Sequence, residues 1–340
     1  MGLFQPINRN LLIAGHSSSF ARGKIQLAKY EEVGRAIEDA VRRSCEGRVV
    51  AIAFSGGMDS GLIAALAKKY ARSVTCYTCG TDDSFDVAAG RELAEKLGLP
   101  WVHCRISEES IEDDIRGLIL ATKVSDPFTI SYDLQLYTVC RDASEPVVLT
   151  GQGSDEYFGG CAKFVGCSDA DFMIMQEAAK ERLLSISVPC ERNIAAHFGK
   201  TLCYPYLEKG VQTEIGRINP LAMKPADMGS RKSVLKDAAA DLGFGFLAER
   251  TKKSSQYGSG TTDLVRAMAK RKGMGYDEYI DSLCRDAFAG KGRMTRGSIV
   301  SARIDPILKA KAEKILEENH VSVSDEIAAL YERIVMNGKP

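Results

Sequence analysis

Ser55-Gly56-Gly57-Met58-Asp59-Ser60 puts two glycines, two hydroxyls and a carboxylate within six positions. An apolar run of strand length, Val49 to Phe54, precedes it, and a helical pattern (Leu62, Ile63, Ala65, Leu66) follows. A strand, a glycine turn and a helix N-terminus make an anion site, because the first helical N–H groups have no partner in the helix and the dipole favours negative charge. Gly56 and Gly57 let the backbone come close to a ligand, and Ser55 and Ser60 add hydroxyl donors. Asp59 would repel a phosphate unless a cation lies between them. Mg²⁺ suits that place, since it binds through one or two carboxylates plus substrate phosphates. The motif differs from the Gly-x4-Gly-Lys-Ser/Thr loop of kinases and GTPases. A second glycine turn, Thr150-Gly151-Gln152-Gly153-Ser154-Asp155-Glu156, again leaves a strand and delivers a carboxylate. Asp155 and Asp59 are the expected pair of metal carboxylates.

These turns need a scaffold that brings them together. A helix is predicted from Glu31 to Cys45, then the first strand, and a helix reaching Tyr70. Ser73–Cys79 reads as a strand, Asp86–Leu97 as a helix stopped by Gly98, and Trp101–Cys104 as a strand. Helices follow over Glu108–Ala121 and from Asp126-Pro127 to Asp142, and Val147–Thr150 is a fourth strand. Asn8–Ile13 is a further candidate for a short strand. Alternating strands and helices predict an α/β fold, a parallel twisted sheet with helices on both faces. Ligands in such sheets sit at the carboxyl ends of the strands, which places residues 55–60, 79–84 and 151–156 on one rim.

Composition excludes little but points one way. The 340 residues are 45% hydrophobic and 26% charged, which suits about two domains. Lys+Arg and Asp+Glu are both 45, so charge gives no sign of a nucleic-acid or membrane partner. No apolar run reaches membrane-spanning length, and the start lacks a basic-then-apolar signal pattern. The ten cysteines are therefore expected to be reduced thiols in a cytoplasmic protein. Cys76 and Cys79 have a CxxC spacing without a second pair, and His16, His103, His197 and His320 form no spaced constellation. Packing is the expected role for both groups.

The first motif resembles the PP-loop of ATP pyrophosphatases, with its adenine nucleotide alpha hydrolase-like fold. The pair of motifs resembles the synthetase domain of asparagine synthetase and β-lactam synthetase. That resemblance continues through Pro205-Tyr206-Leu207, Arg231-Lys232-Ser233-Val234-Leu235-Lys236 and Glu249-Arg250-Thr251-Lys252-Lys253, and is weakest over 161–200. It implies an ATP-dependent, AMP-forming ligase. A carboxylate, aspartate by default, attacks the α-phosphorus, pyrophosphate leaves, and ammonia or another amine then displaces AMP. By position, Ser55, Gly56, Gly57, Asp59 and Ser60 would hold pyrophosphate and Mg²⁺, with Asp155 as the second metal carboxylate. Cys79 and Gly151 would touch the nucleoside through backbone, and Lys252 would stabilise transition-state charge, with Lys253 as its rival. The family's glutamate in the second motif, the base for the incoming amine, is Gln152 here, and an amide is no general base. Glu156 is the first substitute to consider. The family's glutaminase domain, with its cysteine after Met1, is not expected: residue 2 is Gly, and the residues ahead of Glu31 are too few. Free ammonia, a separate glutaminase or another amine would supply the nitrogen.

The expected division is an N-terminal segment 1–29, a synthetase domain 30–286, a basic glycine-rich linker 287–297 and a module 298–338. In that module Ser298–Ile304 alternates like a strand, Asp305-Pro306 opens a helix ending near Asn319, and Ser322-Val323-Ser324-Asp325 opens another. Strand–helix–helix in so few residues cannot bury a core alone. The module resembles the ribbon-helix-helix fold of RelB/DinJ-type antitoxins, which implies a homodimer. Dimerisation is preferred here over DNA binding, because Ile299 is apolar where base readout needs polar residues. Two other readings are carried alongside: adenylation of an RNA base, and a nucleotide-sensing DNA-binding regulator.

Overall fold

The computed structural model describes residues 17–250, 255–289 and 304–318, together with 323, 326, 327 and 330, of which 17–29, 255–256, 289 and 317–318 are described as backbone alone. Its centre is a five-stranded parallel sheet in the order β3-β2-β1-β4-β5: β1 Val49–Ala53, β2 Ser73–Gly80, β3 Trp101–Arg105, β4 Val147–Leu149 and β5 Thr201–Cys203. Helices α1 Ser17–Cys45, α2 Met58–Tyr70, α3 Phe85–Leu97, α4 Ile111–Thr122 and α5 Pro127–Asp142 alternate with the first four strands. After β4 come a one-turn α6 Ser154–Tyr157, α7 Asp169–Arg182 and α8 Val188–His197, the last two joined by a π-turn, Leu183–Ser187. Beyond β5 lie α9 Lys209–Gly216, α10 Ser233–Asp241, α11 Ser255–Gly258, α12 Thr261–Arg271, α13 Tyr276–Ala289 and α14 Pro306–Glu318.

Both faces of the sheet are buried, as a parallel sheet requires. Alternate strand residues feed two cores: Val50, Ile52, Val74 and Cys76 pack with Ile37, Leu62, Leu66 and Leu235. Ala51, Tyr77, Cys79 and Val148 pack on the opposite side with Ile115, Leu118, Leu134 and Ile280. Among the described residues no helix is long and apolar enough to cross a membrane.

Most predicted elements fall where the sequence places them, and the differences have local causes. Asp126 caps α5 by accepting from the Thr129 N–H at 2.8 Å, and Gly98 closes α3 at φ 60. Helix α1 begins at Ser17 rather than Glu31, because no proline separates Ser17 from the helix formers Ala21 to Lys29. Helix α4 starts at Ile111 rather than Glu108, since the Ser110 hydroxyl first accepts from the Ser107 N–H and donates to the Ser107 carbonyl in a turn. The short strand β5 carries no strand-length apolar run and was not predicted. In the tail, α14 matches the helix opened by Asp305, which accepts from the Ile307 and Leu308 N–H groups. The candidate strands Asn8–Ile13 and Ser298–Ile304 lie outside the described residues, all but Ile304.

Candidate active site

The first glycine turn leaves β1 and enters α2 at Gly57, whose backbone is extended (φ −80, ψ 174) and which has no capping side chain. The helix therefore offers uncapped N–H groups at the carboxyl edge of the sheet. Ser60 Oγ accepts from the Ser55 N–H at 3.3 Å and closes the turn. Gly56 sits at φ +71, and a Cβ there would lie 2.4 Å from backbone atoms of Ala89 and Gly90. The glycine at 56 thus answers to the close approach of α3. Arg250 locks the same contact, donating to the carbonyls of Gly56 at 2.8 Å and Ala89 at 3.0 Å.

The second glycine turn brings Asp155 beside Asp59, and Lys232 joins them. Lys232 Nζ donates to both Asp59 carboxylate oxygens at 2.8 and 2.7 Å, to Ser154 Oγ at 3.2 Å and to Asp155 Oδ1 at 2.7 Å. Lys232 is 8% exposed, and its backbone is left-handed at φ 59, a conformation that costs a non-glycine residue roughly 1–2 kcal/mol. Such strain persists where the surroundings over-determine it. Gly160 makes the room: a Cβ on it would lie 2.1 Å from Lys232 Cε and 2.2 Å from Asp155 Oδ1. Tyr206, fully buried, donates to the Asp59 carbonyl at 3.0 Å and so fixes the start of α2.

Two carboxylates already converged on a positive charge fit Mg²⁺, a hard cation that takes oxygen donors. Among the described residues no group of three or more His, Cys, Asp or Glu could hold a metal by itself.

Two cavities meet at this cluster. The smaller, about 120 Å³, is lined by Ser55, Asp59, Ser60, Cys79, Gly151 and Asp155 among others; Gly56 and Gly57, also expected at the nucleotide, do not line it. The larger, about 1140 Å³, is walled by Asp59, Asp155, Glu156, Lys163, Arg182, Arg231 and Lys232, with Lys309 of α14 on one side. Glu156 lies on the larger cavity, where its carbonyl accepts from Gln176. Lys252 and Lys253 lie outside the described residues.

Gln152 donates through Nε2 to Glu191 Oε1 at 2.6 Å and accepts the Tyr132 hydroxyl at 3.3 Å. Glu191, on α8, is 3% exposed, and burial pushes its carboxyl well above the usual range. Beside it Asp133, on α5, is 2% exposed and is pushed up to about 6, again by burial. Sequence reading missed Lys232, Asp133 and Glu191. Lys232 stood inside the Arg231–Lys236 stretch and carried that much signal; the two acids sit in helices with no motif around them.

Cys76 and Cys79 face opposite cores of the sheet, as residues three apart on a strand must. They cannot share a metal, and burial raises both thiols to about 12. His103 bonds the Gly80 carbonyl at 2.9 Å.

Residues 32–167 match the asparagine synthase family model. The chain is 28% identical over 305 residues to a putative glutamine-hydrolyzing asparagine synthetase of Methanocaldococcus jannaschii, covering 75% of this chain and 56% of that protein. It is 26% identical over 226 residues to asparagine synthetase B of Escherichia coli (61% and 41% covered). It is 27% identical over 248 residues to carboxyethyl-arginine beta-lactam-synthase of Streptomyces clavuligerus (72% and 47% covered). The chain spans about half the length of these curated relatives.

Proposed function

We propose that this chain is an ATP-dependent, AMP-forming amide synthetase, which adenylates a carboxylic acid and passes the acyl group to ammonia or another amine. The observation that carries the reading is the convergence of Asp59 and Asp155 on one point at the uncapped N-terminus of α2. The match to asparagine synthase sequences over the same stretch supports it.

The α2 N–H groups and the Ser55 and Ser60 hydroxyls bind the β- and γ-phosphates and orient them for departure. Mg²⁺, held by Asp59 and Asp155, would neutralise charge on the pyrophosphate. Lys232 Nζ keeps both carboxylates paired and turns toward phosphate oxygens when they arrive. Lys252 keeps its assignment by resemblance, as the cation for the charge that develops at the α-phosphorus. The acid enters from the larger cavity, so that its carboxylate meets the α-phosphate where the two cavities join. The nitrogen source is free ammonia, a separate glutaminase or an amino compound.

ATP–pyrophosphate exchange, run with Mg²⁺ against single carboxylic acids starting with aspartate, tests this. Exchange that depends on one acid supports the reading and names the acid; exchange with none, or independent of any acid, contradicts it.

A further inference from the structure

Gln152 stands where a carboxylate is expected, and the hydrogen bonds around it explain the amide. Its Nε2 donates at 2.6 Å to one oxygen of Glu191; a glutamate at 152 would set two carboxylates face to face at that distance. The other Glu191 oxygen, Oε2, and Asp133 Oδ2 have no donor within 3.5 Å, and the other side-chain donors beside these two acids are the Tyr204 hydroxyl and the weak Cys190 thiol. Both residues are more than nine-tenths buried, and both line the cavity of about 120 Å³ that also holds Gln152 and Asp155. They come from different helices, α5 and α8, so sequence neighbourhood does not account for the pair. A buried carboxyl oxygen without a close donor is costly, and two buried acids beside one small cavity suit a compact cation with N–H donors.

We propose that Asp133 and Glu191 form the binding pocket for the nitrogen substrate of the second half-reaction, taken up as a primary ammonium cation. This rests on the synthetase reading above. The proton balance matches the number of acids. An ammonium ion, or the ammonium group of an amino compound, loses two protons on becoming an amide nitrogen. Glu191 takes the first, as the N–H bond breaks and the freed lone pair attacks the acyl carbon. The C–O bond to AMP breaks and AMP leaves as the anion. Asp133 takes the second proton from the nitrogen as the amide forms. Gln152 is a positioning residue: it holds Glu191 Oε1 and leaves Oε2 to the substrate. Burial favours the neutral acids in the absence of a cation, and a cation between them reverses that preference.

Asp133→Asn and Glu191→Gln keep the shape of each side chain and remove its charge. Each variant is measured by acid-dependent ATP–pyrophosphate exchange, by amide formation from ammonium chloride or simple alkylammonium salts, and by hydroxamate formation from hydroxylamine, which is uncharged at neutral pH. Amide formation should fall at least tenfold more than exchange, with a raised KM for the ammonium salt, and hydroxamate formation should fall less than amide formation. Equal loss in all three assays, or an unchanged KM for ammonium, overturns the pocket. Binding is read separately from catalysis, as the thermal melting shift given by ammonium or methylammonium chloride over that given by tetramethylammonium chloride. A shift that disappears in the double variant supports the site even if no acid drives exchange, a result that would sink only the synthetase reading. A response to ammonium assigns free ammonium as the source, a response to alkylammonium alone assigns an amino compound, and a response to neither overturns the proposal.

Discussion

At the scale of residues, Lys232 is the hinge of the site. Removing one partner from a buried ion cluster costs roughly 3–5 kcal/mol, because the remaining charges keep their desolvation without their pairing. Lys232→Ala leaves Asp59 and Asp155 facing each other across the vacated space, so it should destabilise the protein by roughly that amount. Urea unfolding measures the loss, and Mg²⁺ should restore part of it in the variant by taking the lysine's place between the carboxylates. Loss without any Mg²⁺ dependence would say that the two carboxylates do not form a cation site. Asp133 behaves in the opposite sense. Its folded value near 6 lies above that of an ordinary aspartate, so its contribution is present at low pH and lost as pH rises from about 4 to about 6. The shift corresponds to about 3 kcal/mol. Asp133→Asn should therefore be more stable than the parent at neutral pH and equal to it near pH 4, as read by unfolding at the two pH values. A variant that is less stable at neutral pH would mean that Asp133 serves packing. Asp59 and Asp155 were legible in the sequence because each follows glycines at the end of a strand. Lys232 reaches Asp59 across 173 residues of chain, and no local pattern reports a contact of that range.

At the scale of elements, the turns work because helices and loops pass unusually close to one another. Gly160 lets the loop after α6 cross Lys232 and Asp155. An added methyl there must displace one of them, and misplacement of a positioned group by about 1 Å can cost about 10²-fold in rate. Gly160→Ala is expected to lower exchange by that order while the far-ultraviolet circular dichroism stays that of the parent; near-parental exchange would show that Lys232 does not need its present position. The helices and strands around the site were readable from period and caps, as with Asp126 and Gly98. Strand β5 was not, because three residues against β4 take their strand identity from pairing. The acids of the amine pocket were hidden for a related reason. α8 lies in the stretch where resemblance to known synthetases is weakest, and only packing of α5 on α8 brings Asp133 beside Glu191.

At the scale of the whole molecule, the C-terminal helix raises the question of assembly. α14 packs on α7 and buries Ala310, yet Leu308 and Ile315 are 61% and 59% exposed. They are seven residues apart and so share one face of the helix. The ribbon-helix-helix reading supplies a cover for that face, the same face of a second chain. Light scattering at micromolar concentration should give a dimer, and Leu308→Glu with Ile315→Glu should give a monomer. A monomeric parent would remove the dimer from the reading. The strand on which that module depends is almost wholly outside the described residues, so sequence pattern alone carries it.

The central claim is that an acid's carboxylate oxygen becomes bonded to the α-phosphorus of ATP. It is tested most directly by supplying the acid that supports exchange with oxygen-18 in its carboxylate, together with ATP, Mg²⁺ and an ammonium salt, and weighing the nucleotide product. Adenylation predicts AMP carrying one labelled oxygen in amount equal to the amide formed. Unlabelled AMP, or label found in inorganic phosphate beside ADP, would contradict it.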